Sequence, residues 1–287
     1  QMRFDIIIIG GGAAGLMAAY GACTAQQSKP SVLVLEKMPR PGRKIMITGK
    51  GRCNFTNVKD WGDFSRHVRA NSNALRPAFY NLTPEKVIDF FNAAGMKSVV
   101  ERGDRAFPVS HRSMDAVDAL AGAAVRAGAR IETGAEVAKV DADETGFSVM
   151  TADGREFTSS RLIIATGGLS YPTTGSTGDG YRFASALGHN ISPCFPSLTA
   201  LVPKGYKLVS DGYKADMKCH IDRNIELSDM GKALCGNSLK NIGLHLEVNG
   251  GEVQEIDGDI DFTDGGIEGP AGFSISRNAV KALINGS

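Results

Sequence analysis

The chain has 287 residues, 42% of them apolar and 22% charged, enough to bury a sizeable core and to divide into two domains. Its 32 Lys and Arg nearly cancel 31 Asp and Glu, leaving +1, so no overall field favours nonspecific binding to nucleic acid, and a nucleic-acid partner is not expected. The longest strongly apolar run, residues 4–9, is far too short to span a bilayer and lacks the basic flank of a signal peptide, which predicts a cytoplasmic protein with no membrane partner.

The first element is a β-branched strand over residues 3–9, followed by a glycine turn at 10–15, a small-residue helix at 16–25 and an apolar strand at 31–35. This βαβ pattern places both strands in one parallel sheet through a right-handed crossover. Thr83 as N-cap with Pro84 behind it starts a helix that stops near Gly95, and Ser113 caps another running to about Ala127. Short strands follow at 130–133, 136–141 and 146–151, then the Asp153-Gly154 turn and a strand at 156–164. Together they read as an antiparallel meander attached to the parallel sheet. From about residue 196 alternating patterns at 242–248 and 253–256, joined by Asn249-Gly250-Gly251, suggest hairpins of a separate β-rich domain. The expected division is 1–195 and 196–287.

The five cysteines, Cys23, Cys53, Cys194, Cys219 and Cys235, form no CxxC pair, and their odd number fits reduced thiols. The five histidines, His67, His111, His189, His220 and His245, have no HxxH or HExxH spacing, so no metal is expected.

Gly10-Gly11-Gly12-Ala13-Ala14-Gly15 satisfies GxGxxG between a strand and a helix, the context that a dinucleotide fingerprint requires. Gly10 permits the tight turn, Gly12 lets a pyrophosphate approach the backbone, and Gly15 lets the helix pack on the sheet. The pyrophosphate is expected on the helix N-terminus with Ala13 and Ala14, where free N–H groups and the dipole favour an anion. Glu36 closes the second strand, placed to accept hydrogen bonds from ribose hydroxyls and to disfavour a ribose phosphate. A second strand breaks at Ala165-Thr166-Gly167-Gly168, which suits another close approach of backbone to a dinucleotide and favours FAD over NAD.

The segment 42–57, GRKIMITGKGRCNFTN, resembles the signature of the HI0933-like or aminoacetone-oxidase-like NAD(P)/FAD-dependent oxidoreductases of bacteria. The resemblance continues in GDRAFPVS at 103–110, in ATGGLSYPTTGSTGDG at 165–180 and in FTDGGIEGP at 262–270, and so covers the whole chain. It implies an α/β fold: a glutathione-reductase-type Rossmann domain for FAD with an antiparallel meander, and an inserted β-rich domain on the substrate side. It also implies that the polypeptide would run on past the insert and return to the flavin. Because this sequence stops at Ser287, the resemblance implies a chain with the adenine half of its cofactor site and only part of the flavin half. Asp264 stands where the family has His, and Glu268 where it usually has Ser.

The same resemblance places Lys37, Gly42, Arg43, Lys44, Arg52, Cys53 and Asn54 at the cofactor, where cations among glycines suit a pyrophosphate or flavin edge. Cys53 reads as a packed small residue rather than a reactive thiol. Val137 lies where a backbone amide and carbonyl would read the adenine edge, and the polar loop at 171–180, with Gly178, would frame the flavin. Asp104 and Arg105 read either as substrate-orienting groups or as a loop ion pair. The expected function is an FAD-dependent oxidoreductase passing hydride between NAD(P)H or a small organic substrate and an acceptor, with no catalytic acid or base identified. Two alternatives stay open: a flavin-dependent tRNA-modifying protein, and a dinucleotide-binding fragment that does not turn over.

Overall fold

The computed structural model describes residues 2–25, 29–68, 71–209 and 224–285; Cys219 and His220 lie outside them. The chain forms two compact units, Gln1–Ile191 and Ser192–Ser287.

In the first unit β1 (Met2–Ile9) enters α1 (Ala13–Thr24) through the glycine turn and returns in β2 (Val32–Glu36). A short helix α2 (Arg43–Ile47) and a 3-10 turn at Thr48–Gly51 lead to β3 (Thr56–Asn57). An excursion of two short helices follows, α3 (Trp61–Arg66) and α4 (Arg76–Asn81), before α5 (Pro84–Ala93). The Thr83 side chain accepts a hydrogen bond from the Lys86 amide, the N-cap that the sequence indicates. Strands β4 (Ser98–Glu101) and β5 (Arg105–Pro108) pair with β3 in a small antiparallel sheet. The helix α6 (Ser113–Ala127) differs from expectation at its start. Arg112, extended at φ −114° and ψ 113°, is the N-cap, and Ser113 is the first helical residue, its hydroxyl donating to the Met46 carbonyl.

The remaining strands are β6 (Ala129–Thr133), β7 (Val137–Asp143), β8 (Gly146–Thr151) and β9 (Glu156–Ile164), followed by α7 (Asp179–Ala186). The main sheet runs β6-β2-β1-β9-β8-β7. β6 does not belong to the meander as the sequence suggested; it pairs parallel with β2 from Val32↔Ala129 to Glu36↔Thr133. The helix α6 in front of it makes a second crossover, and a crossover connection returns a strand parallel to its neighbour. The meander is β7-β8-β9, and β9 also pairs parallel with β1 along its length.

Alternation along β1 and β2 divides the core into two layers. Ile6, Ile8, Val32 and Val34 pack with Ala19 and Cys23 of α1 and Ala124 of α6. Ile7, Ile9, Leu33 and Leu35 face Val140, Val149 and Phe157 of the meander and Phe183 of α7.

The second unit opens its regular structure with α8 (Asp229–Leu234), then pairs β10 (Ser238–Val248) with β11 (Gly251–Thr263) across the Asn249-Gly250 turn, and adds β12 (Gly266–Glu268). A long helix absent from the sequence reading, α9 (Gly269–Ile284), begins with Pro270 in its first turn. Its buried face, Ala271, Gly272, Ile275, Ser276 and Val280, follows a helical period. Tyr206 is fully buried in this unit, and its hydroxyl donates to the Thr263 carbonyl at 2.7 Å.

Candidate dinucleotide site

The glycine turn is shaped by its own backbone. Gly10 sits at φ +108°, and a Cβ there would lie 2.4 Å from the Ala165 carbonyl oxygen. A Cβ on Gly15 would fall 1.8 Å from the Gly10 carbonyl oxygen, so only glycine lets α1 start against the end of β1. Gly12 is different: a Cβ there would meet nothing within 4 Å. Gly12 is also the N-cap of α1, where no side chain caps the first turn and no acidic residue occupies it. The terminal amides are therefore left to an outside anion.

Glu36 ties this turn to the end of β2. The Gly11 amide donates to its Oε2 at 2.7 Å and the Met38 amide to its Oε1 at 2.8 Å, with the side chain buried. Each carboxylate oxygen keeps lone-pair capacity beyond these two bonds. Gly42, at φ +72°, donates its amide to the Gly11 carbonyl and lies so close to Val117 that a Cβ would approach that side chain to 2.8 Å.

The opposite wall comes from the end of β9. The Ala165 amide donates to the Ile9 carbonyl at 2.8 Å, carrying the chain past β1 into Thr166 and Gly167. Lys44 reaches across to donate to the Ser170 carbonyl and the Ser176 hydroxyl, both at 2.7 Å, and burial lowers its pKa. Lys37 forms an ion pair with Asp179 at 2.7 Å at the start of α7. Burial pushes the Asp179 carboxyl up, but hydrogen bonds from Lys37 and Thr177 outweigh it and hold the pKa below the usual aspartate value.

Between these walls lies a cavity of about 550 Å³, in the range of small-molecule and cofactor pockets. Gly10, Gly12, Ala13, Ala14, Glu36, Lys37, Gly42, Arg43, Lys44, Cys53, Asn54, Val137, Ala165, Thr166 and Gly167 all line it. Gly15 lies behind the turn, where it packs α1. Arg52, Gly168 and Gly178 are not part of the lining. Arg52 ion-pairs with Glu101, stacks over the Phe107 ring at 4.3 Å and approaches His111, while Gly178 is the left-handed N-cap of α7. Asp104 pairs with Lys59 at 3.1 Å and Arg105 donates to the Arg102 carbonyl, so both serve the loop between β4 and β5. Burial raises the Cys53 pKa, which keeps its thiol protonated, as expected of a packing residue.

Sequence reasoning did not find the apolar floor, which includes Met17, Phe91, Leu120 and Phe183. Their helical spacing reads only as core. Ser176 and Asp179 fall in the polar loop already expected at the cofactor, but their pairing with Lys44 and Lys37 spans more than 130 residues and leaves no local trace. In the other unit, β-pairing brings His245, Glu252 and Glu255 together with ligand atoms within 4.8 Å. A register shift beyond Leu246 puts these exposed residues on one face of the hairpin, which sequence spacing does not reveal.

Residues 4–272 match the family model described as the HI0933-like protein Rossmann domain. The chain belongs to this HI0933-like family. It is 30% identical over 97% of its length to the 3-dehydro-bile acid delta(4,6)-reductase of Clostridium scindens, covering 61% of that protein. It is 33% identical over 70% of its length to the ribosomal RNA dihydrouridine synthase of Escherichia coli, covering 48% of that protein. The chain thus spans about half to three-fifths of these curated relatives. A flavocytochrome c3 fumarate reductase in its open conformation superposes with a TM-score of 0.53 at 21% identity, over 66% of this chain and 41% of that one. The HI0933-like chain therefore has the Rossmann-type fold of FAD-binding domains. Among the described residues, no helix is long and apolar enough to cross a membrane.

Proposed function

We propose that this HI0933-like chain binds FAD in the cavity and forms the cofactor-holding part of a reductase that saturates a carbon–carbon double bond conjugated to a carbonyl. The observation that carries the FAD assignment is the contrast within one turn. Gly10 and Gly15 are closed by protein backbone, whereas Gly12, beside the uncapped start of α1, faces open space. That is the arrangement a pyrophosphate needs.

Each group of the cofactor then has a counterpart. The amides of Gly12, Ala13 and Ala14 bind the pyrophosphate. Glu36 uses its remaining lone pairs for ribose hydroxyls, and the backbone of Val137 faces the adenine. Lys44 spends two of its three N–H groups on Ser170 and Ser176, which leaves one to offer to negative charge in the cavity. The apolar floor excludes water from the ring system. A bound flavin would supply hydride transfer between NAD(P)H and the β-carbon of the alkene, the second hydrogen reaching the α-carbon as a proton from solvent.

The names of two relatives support the alkene. A 3-dehydro-bile acid delta(4,6)-reductase and a dihydrouridine synthase both reduce a ring double bond that is conjugated to a carbonyl. The electron-poor β-carbon of such a system is a hydride acceptor. The substrate is accordingly a small enone or a nucleobase.

The test is the visible spectrum of the purified chain incubated with FAD, followed under anaerobic conditions by NADPH or NADH and then by an enone or a uridine oligonucleotide. Flavin absorption that persists through desalting, bleaches with the nicotinamide and returns with the acceptor is the expected result. A folded protein that stays colourless after FAD overturns the assignment.

A further inference from the structure

Two lysines line the cavity, and their surroundings differ. Lys37 is neutralised by Asp179, whose carboxylate lies 2.7 Å from its Nζ, and it also donates to the Thr177 hydroxyl. Lys44 has no such counter-charge. Its Nζ donates to the Ser170 carbonyl and the Ser176 hydroxyl, both neutral oxygens at 2.7 Å, and among the described residues it forms no ion pair with a carboxylate. Burial lowers its pKa, and no neighbouring acid offsets the loss of water. A cation partly withdrawn from water without a counter-charge is unfavourable, and a negative charge supplied from outside the chain relieves it.

The lysine is held at a defined place. Two residues before it, the Gly42 amide donates to the Gly11 carbonyl at 2.9 Å, which ties the start of α2 to the glycine turn. At the other end, Gly167 turns the chain at φ +78° just past β9. A Cβ there would lie 2.6 Å from the Ser176 Oγ and 4.0 Å from the Lys44 Nζ. The charge of Lys44 therefore stands beside the end of β9. Glu36, in contrast, closes β2, and the sheet order β2-β1-β9 puts the glycine turn between the two. A dinucleotide with a ribose at Glu36 and its pyrophosphate at Gly12 meets Lys44 with the half that follows the pyrophosphate. Arg43, next to Gly42 and also in the lining, is left for the pyrophosphate itself.

We propose that Lys44 sets the reduction potential of the bound flavin by stabilising the negative charge of its reduced form. This rests on the FAD reading above. Hydride from NAD(P)H brings two electrons and one proton to the flavin, so NAD(P)+ leaves and the reduced ring carries one negative charge, at N1 and the C2 oxygen. The third N–H of Lys44 is the donor for that charge. Favouring the charged, reduced ring over the neutral, oxidised one raises the potential. The charge is gone again once hydride has passed to the β-carbon and solvent has protonated the α-carbon.

The experiment is a redox titration of the flavin-loaded chain against a dye of matched potential, reading the reduced-to-oxidised ratio of the flavin. Lys44→Met keeps the length of the side chain and removes its charge, and its ratio should be at least about tenfold lower than that of wild type. Lys44→Arg should recover most of this loss. Ser176→Ala, which removes one clasp on the lysine and leaves the charge, should stay within about twofold of wild type. Equal ratios in wild type and Lys44→Met overturn the proposal. So does an equally large loss in Ser176→Ala, because the clasp rather than the charge would then be responsible. A second measurement needs no variant. At about pH 5.5, where free flavin takes up two protons with its two electrons, the wild-type protein should take up one. Uptake of two overturns the proposal even where Lys44→Met fails to hold flavin. A wild-type chain that stays colourless with FAD refutes the FAD reading, whereas flavin bound at a potential indifferent to Lys44 refutes this inference alone.

Discussion

β2 and β10 are both strands of antiparallel or parallel sheets in one polypeptide, yet all five residues of β2 are buried and none of the eleven in β10 is. β2 lies between β1 and β6 with helices on one face and the meander on the other, so it must be apolar throughout. β10 is the edge of a hairpin whose covered face rests on α9, where Gly258 approaches Ala271 closely. The difference shows why the cavity belongs to the first unit. Its glycine turn and its Ala165 turn leave two adjacent, fully supported strands, and their geometry is set before any ligand arrives.

That contrast can be broken at the glycine turn. Gly15→Val would force a side chain into the Gly10 carbonyl, and should cost about 4 kcal/mol or more, enough to abolish cooperative unfolding of the first unit in a thermal melt. A smaller loss is expected within the strands. Leu33→Ala, fully buried, should lower stability by about 2–5 kcal/mol, while Leu239→Ala on β10, 46% exposed, should change it by no more than about 0.5 kcal/mol in denaturant titration. Equal effects would show that the two sheets are equally packed.

Glu36→Gln sharpens the comparison from the ligand side. A carboxamide offers one oxygen where two amides now donate, so one buried N–H loses its acceptor, at about 1–3 kcal/mol. FAD affinity in the same variant should fall in parallel, read by titration of flavin fluorescence. The smallest effect concerns Asp179. Its folded pKa lies below the ordinary 3.8, so its contribution is complete above that value and is lost as pH falls through the lowered one. The stability gap between wild type and Asp179→Asn, about 1 kcal/mol or less, should hold from pH 7 to about 5 and close below about pH 4.

The parts of the fold that were legible in the sequence are those with local causes. The βαβ unit, the Thr83 cap and the β10–β11 turn each follow from a period or a turn residue within a few positions. β6 was misassigned to the meander because five residues carry no mark of the direction in which they pair. The α9 helix escaped notice behind Gly269-Pro270, which reads as a loop, although its small and apolar residues recur at helical spacing. Most of the cavity lining was legible because glycines and cations announce close approach. Its apolar floor was not, since Phe91 or Leu120 looks the same whether it faces a core or a ligand.

The most direct test is an FAD titration of the wild-type chain beside Gly12→Val, the one glycine of the three in the fingerprint whose Cβ would meet no protein atom. The account predicts that both proteins unfold cooperatively, Gly12→Val lower by no more than the roughly 1 kcal/mol of a poorer N-cap, that wild type retains flavin through desalting and that Gly12→Val retains none. Equal flavin retention by the two would contradict it, because the open space at Gly12 would then not be where the pyrophosphate lies.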